Sequence, residues 1–220
     1  MYARDLVSDL IPVLRTSNTG IEAIQLMDEA RVGHLPIVNN ESFLGLISED
    51  DIYDLDQPEQ PIGNHRLSLP RPFVLEHQHV YEVIRVMWEE KLSVLPVLDQ
   101  HQNYQGCILV QDLLGHFAGL SAANQPGGII VLEVNQTDLV LSEIARIVES
   151  NDAKVLSLYV GSPVDSTRLD VTLKLNRMDI GPVLQTFSRF NYVVKATFTE
   201  GEYTDDLRER YESLMRFLNV

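Results

Sequence analysis

Apolar positions along the chain fall into short runs broken by Pro, Gly and charged residues, and one order of runs occurs twice. Gly33-His-Leu-Pro-Ile-Val38 matches Ser93-Val-Leu-Pro-Val-Leu98 at an offset of 60, and Gly45-Leu-Ile-Ser-Glu-Asp-Asp51 matches Gly106-Cys-Ile-Leu-Val-Gln-Asp112 at an offset of 61. A repeat of this length is one supersecondary unit written twice. The one-residue slip falls between Asn39-Asn-Glu-Ser42 and Asp99-Gln-His-Gln-Asn103, polar stretches that predict hairpin turns. Ahead of each Leu-Pro strand, apolar residues recur at helical spacing: Ile21, Ile24 and Met27, then Val80, Val83, Ile84, Met87 and Trp88. Each copy reads helix, strand, hairpin, strand, helix, the second helix starting at Ser48 in copy one and near Val110 in copy two. Leu55-Asp-Gln-Pro-Glu-Gln-Pro61 reads as the linker, since two prolines fit neither a helix nor a central strand. A copy of about 55 residues buries too little surface to stand alone, so the two are expected to pack sheet against sheet.

After a boundary at Ser121-Ala-Ala-Asn-Gln-Pro-Gly-Gly128 the pattern changes. Strands are predicted at Gly128 to Val134, Val155 to Val160, Leu169 to Leu175 and Tyr192 to Phe198, with helices at Leu139 to Ser150 and Ile180 to Phe190 and a turn at Gly161-Ser-Pro163. This βαββαβ order is the ferredoxin-like arrangement. Thr204 to Leu218 places Leu207, Tyr211, Leu214, Met215 and Leu218 on one helical face, predicting a C-terminal helix over 203–220. The fold class expected is therefore α+β.

Charge narrows the partners. The net charge of −15 argues against nucleic acid and against an anionic membrane surface, because both need clustered Lys and Arg. Residues 1–120 hold 7 Lys and Arg against 18 Asp and Glu, so most of the excess lies in the repeated half. A polyphosphate is repelled by such a field, which favours a lightly charged ligand or one accompanied by a cation. No apolar stretch approaches the roughly 18 residues of a membrane helix, and Met1-Tyr-Ala-Arg-Asp-Leu lacks a signal-peptide core, so the chain reads as cytoplasmic. The lone Cys107, inside an apolar run, reads as a small buried hydrophobe.

No nucleophile with a positioned base and no metal cluster stands out, so the chain does not read as an enzyme. Of the six histidines only His77-x-His79 has ligand spacing, and its polar surroundings point to a solvated loop. Glu89-Glu90 and Glu49-Asp-Asp51 read as a helix face and a helix start. The one chemically suggestive constellation is Gly45-x-x-Ser48-x-x-Asp51 at a strand-to-helix junction. Free backbone N–H groups there would favour an anion, with a hydroxyl for phosphate and a carboxylate for a ribose. The same Ser-x-x-Asp spacing is also a capping box, which needs no ligand.

The twin pattern of helix, Leu-Pro strand and Gly-x-x-Ser-x-x-Asp resembles a CBS-domain pair over residues 1–119, with motif one at about 1–56 and motif two at about 62–119. The resemblance implies binding of an adenosyl compound, AMP, ATP with magnesium or S-adenosylmethionine, in clefts between the motifs, with no obligatory cofactor. It places Ser48 at phosphate and Asp51 at ribose in one cleft. His34 and Pro36, with Pro96, Gly106 and Asp112 of copy two, complete the expected nucleotide-binding set. In copy two, Leu109 stands at the hydroxyl position and Val94 at the position of His34, so the second cleft is expected to be weaker. Residues 128–200 resemble an ACT domain, and this layout is that of the AcuB-like acetoin-utilisation proteins. Leu139, in Asn135-Gln-Thr-Asp-Leu-Val140, occupies the family's glycine position, which favours a structural or dimer-forming role over amino-acid sensing. Together these imply a regulatory homodimer or larger assembly, with a ligand-free oligomerisation scaffold as the alternative.

Overall fold

The computed structural model describes residues 1–65, 69–162 and 167–199. The C-terminal helix expected over 203–220 and part of the turn at Gly161-Ser-Pro163 lie outside the described residues. The chain is α+β and forms two compact units, Met1–His116 and Phe117–Val220.

In the first unit each copy builds the predicted elements. Copy one runs α1 (Gly20–Ala30), β1 (His34–Asn39), β2 (Ser42–Ser48) and α2 (Glu49–Tyr53). Copy two runs β3 (Val74–Leu75), α3 (Val80–Glu89), β4 (Val94–Leu98), β5 (Tyr104–Leu109) and α4 (Val110–Leu120). The division between the units falls inside α4. Helix α1 starts where Thr19 Oγ1 accepts the Glu22 amide at 3.2 Å and the Glu22 carboxylate accepts the Thr19 amide at 3.0 Å. It stops at Arg31, which takes the left-handed conformation (φ 55°) and caps the last turn. His79 caps α3, its Nδ1 accepting the Tyr81 amide at 3.3 Å, so one member of the His77-x-His79 pair has a local backbone role.

β1 and β2 pair antiparallel, as do β4 and β5, and each pair carries an irregularity at the same place in the repeat, Ile37/Val38 and Val97/Leu98. β3 adds to β4 in parallel, and its counterpart in copy one is a parallel bridge from Leu14 to Ile37. The strand prolines fit because each faces a residue whose amide turns outward. Opposite Pro36, Leu46 N–H donates to the Pro70 carbonyl at 2.9 Å; opposite Pro96, Cys107 N–H donates to the Ser8 carbonyl at 3.3 Å. A segment thus crosses each hairpin, and the neighbouring glycine makes room for it. A Cβ on Gly45 would lie 2.7 Å from Leu69 Cβ, and one on Gly106, at φ +138°, 2.5 Å from Val7 Cγ1. One core spans both copies, with Leu35, Ile37, Phe43 and Ile47 alongside Leu95, Val97 and Ile108. Cys107 is fully buried within it, and burial pushes its thiol up to about 12, which keeps it protonated and unreactive at neutral pH.

The second unit contains β6 (Ile129–Asn135), α5 (Leu141–Glu149), β7 (Val155–Gly161), β8 (Arg168–Leu175), α6 (Gly181–Arg189) and β9 (Val193–Phe198). The strand order β7-β8-β6-β9 with antiparallel pairing throughout is the ferredoxin-like topology. Its separate core joins Ile130, Leu132, Val171 and Leu173 of the sheet to Ile144, Val148, Val183 and Phe187 of the helices. Beside that core, burial and a hydrogen bond to Glu143 push the Tyr192 phenol up to about 12.

Candidate functional site

Three of the singled-out side chains converge. His34, from the first residue of β1, and Ser48 and Asp51, from the β2–α2 junction, line one cavity of about 420 Å³. Antiparallel pairing brings them together, because His34 lies directly opposite Ser48 in the β1–β2 register. Apolar walls come from Leu46, Leu92, Pro70 and Pro72, and Glu90 completes the lining.

The junction is a complete capping box. Asp51 Oδ2 accepts the Ser48 amide at 2.8 Å and the Ser48 hydroxyl at 2.6 Å, while Ser48 Oγ accepts the Asp51 amide at 3.1 Å. The Glu49 amide donates to the Gly33 carbonyl at 3.0 Å. Fewer N–H groups are therefore free for an anion than the sequence led us to expect. The amides of Ser48, Glu49 and Asp51 are already engaged, and the five-residue α2 carries three carboxylates, Glu49, Asp50 and Asp51, in its first turn. Those charges spend the favourable end of a short helix dipole on the protein itself. What stays open for a ligand is Asp51 Oδ1, the oxygen outside the box.

His34 is held across the repeat. Its Nδ1 lies 3.0 Å from Ser93 Oγ, the Ser93 amide points at the same nitrogen from 3.4 Å, and Ser93 Oγ accepts the Gly33 amide at 3.1 Å. Two donors around Nδ1 favour the neutral tautomer with the proton on Nε2. Burial lowers the His34 pKa, opposed by the charges of Asp51 and Asp50.

The remaining expected site residues sit elsewhere. Pro36 and Gly45 are built into the hairpin of copy one, with Gly45 under the Leu69-Pro70 crossing; Pro96 and Gly106 are their counterparts in copy two, with Gly106 under Val7-Ser8. Asp112 is exposed in the first turn of α4, and Leu109 before it offers no hydroxyl for a capping box. Sequence reasoning missed Pro70, Pro72 and Glu90. Proline on either side of Arg71 was the available signal for an extended segment across a cleft, and Glu90 was read as part of a solvated helix face.

Residues 3–57 match the family model of the CBS domain. An uncharacterized protein of Methanocaldococcus jannaschii is 27% identical over 97 residues, covering 44% of this chain and 37% of its own. One of Methanopyrus kandleri is 27% identical over 104 residues, covering 44% and 53%. The chain thus spans about two fifths and one half of these relatives. Among solved structures, a CBS domain pair/ACT domain protein from Thermotoga maritima has a TM-score of 0.49 at 23% identity, with 54% of this chain and 98% of that one covered. CBSX2 in complex with AMP has a TM-score of 0.47 at 21% identity, over 54% and 96%.

Proposed function

We propose that this chain is a non-catalytic regulatory protein whose first unit binds an adenosyl compound in the cavity of copy one. The observation that carries this reading is the convergence of His34, Ser48 and Asp51 on one cavity with apolar walls. The match to the CBS domain covers all three residues. Leu46, Leu92, Pro70 and Pro72 offer apolar surface for a base, and Asp51 Oδ1, outside the capping box, would accept ribose hydroxyls. Copy two lacks both the hydroxyl and the histidine at the matching positions, so it is the weaker site. The adenosyl ligand, AMP, magnesium-bound ATP or S-adenosylmethionine, acts as a signal rather than as a cofactor. Its effect is relayed through a homodimer or through the second, ACT-like unit, which serves a structural or assembly role.

A second reading rests on the capping box. Ser48 and Asp51 satisfy each other without a ligand, which suits a constitutive scaffold that has lost its ligand. A thermal-shift screen across AMP, ADP, ATP, S-adenosylmethionine and NAD separates the two. Binding at 100 times Kd adds about 2.7 kcal/mol of stability, enough to move the midpoint by several degrees. No shift with any compound supports the scaffold.

A further inference from the structure

We infer that Glu90 sets the specificity of the copy-one cavity, selecting a nucleoside whose 5′ substituent is positively charged and turning away one that carries phosphate. The inference rests on the nucleoside reading above and adds the charge of the ligand. Asp51 and Glu90 are the two acidic residues that line this cavity. Glu90 is also the C-cap of the ten-residue α3, its amide donating to the Val86 carbonyl at 3.0 Å, so the negative end of that helix lies beside the cavity as well.

Two cations adjacent in sequence to lining residues, Arg71 and Lys91, have other surroundings. Arg71, between the two lining prolines, donates through a guanidinium nitrogen to the Phe43 carbonyl at 2.9 Å and stacks over the Phe43 ring. Lys91, between Glu90 and Leu92, lines a different groove with Trp88 and Val110. His34 is the cavity's only basic side chain among the described residues, and burial lowers its pKa, which disfavours its charged form. The Ser48 hydroxyl is committed to Asp51, and the Ser48, Glu49 and Asp51 amides of the helix start are engaged, which leaves a phosphate few donors there. With Asp51 assigned to the ribose, the charged group left for the 5′ end is Glu90. A phosphate placed there meets like charge in a half-enclosed space, whereas an ammonium or sulfonium group gains from it.

The test is calorimetry on the full chain and on Glu90→Gln, with S-adenosylmethionine, adenosine and AMP in chelator-containing buffer. Glu90 is exposed, so the amide variant keeps the fold. In the wild type the expected order of affinity is S-adenosylmethionine, adenosine, AMP. Glu90→Gln should weaken S-adenosylmethionine and strengthen AMP, each by about three- to tenfold, as expected for removal of one partly screened charge. AMP as the tightest ligand of the wild type, or an unchanged ratio in Glu90→Gln, overturns the role of Glu90 while leaving the nucleoside reading in place. Absence of binding by all three overturns both.

Discussion

His34 Nδ1 and Ser93 Oγ lie 3.0 Å apart, and this bond ties the start of β1 in copy one to the residue just before β4 in copy two. At an offset of 60, Ser93 is the repeat counterpart of Gly33, so the two copies meet at matching ends of their first hairpin strands. The repeat has diverged here in a complementary way: the histidine stands in one copy and its hydroxyl partner in the other.

A pH dependence follows from this contact. The folded-state pKa of His34 lies below its ordinary value of about 6.5, so the unfolded chain takes up the proton first. Stability should fall as pH drops from about 6.5 toward the folded-state value. Asp51 and Asp50 are the acidic groups that temper the effect. Urea unfolding of the wild type and His34→Gln between pH 7.5 and 5.5 checks it: the variant should lose less stability over that range. Equal losses would show that His34 does not contribute.

The capping box makes a separate prediction. Ser48→Ala removes the oxygen that accepts the Asp51 amide, and loss of an N-cap costs about 1 kcal/mol. Ser48→Thr, which keeps a hydroxyl that can both accept the Asp51 amide and donate to the Asp51 carboxylate, should recover most of it. Denaturation midpoints without ligand measure both, and an undiminished midpoint in Ser48→Ala would show that the cap carries no stability.

The two crossing segments predict unequal costs for two equivalent glycines. Gly106→Ala meets Val7 Cγ1 at 2.5 Å and holds a left-handed φ of +138°, whereas Gly45→Ala meets Leu69 Cβ at 2.7 Å with no such backbone demand. Crowding costs about 1–3 kcal/mol at either site, and the φ adds a further ~1–3 kcal/mol at Gly106 alone. Gly106→Ala should therefore be the more damaging in a thermal melt; a reversed order would place the strain elsewhere.

Assembly is testable from the apolar surface of the first unit. Trp88 is 79% exposed and Leu114 69% exposed, next to a groove of about 690 Å³ lined by Ile84, Met87 and Leu113. Copy one has a matching groove at Ile21, Ile24, Ile52 and Leu55. Two such faces are more apolar surface than a monomer commonly leaves in water. Light scattering should report about twice the 24.9 kDa chain mass, and Trp88→Glu should lower it. A steady monomer mass across the micromolar range contradicts this.

The repeat and both sets of elements were legible in the sequence because hydrophobic periodicity, Leu-Pro strands and turn residues all act locally. The helix start at Ser48 was equally legible, since a cap and its partner lie three residues apart. The site was legible only in part. His34, Ser48 and Asp51 come from two short segments joined by one hairpin, whereas Pro70, Pro72 and Glu90 reach the cavity through tertiary crossings that no local pattern encodes. The surroundings of Ser48 were only partly legible for a related reason. The motif marks a helix start, but which amides remain free depends on Gly33, which lies 15 residues before Ser48 and meets it only through the hairpin.

The central claim, one competent adenosyl site in copy one, is tested most directly by calorimetry of the wild type, Asp51→Ala and Asp112→Ala against S-adenosylmethionine and AMP. Asp51→Ala should lose about ten- to a hundredfold in affinity for whichever compound the wild type binds, the value of a charge-assisted hydrogen bond to ribose. Asp112→Ala should stay within about threefold, because its carboxylate stands exposed in the copy that lacks a hydroxyl at Leu109. Equal losses in the two variants, or a larger loss in Asp112→Ala, would contradict the account.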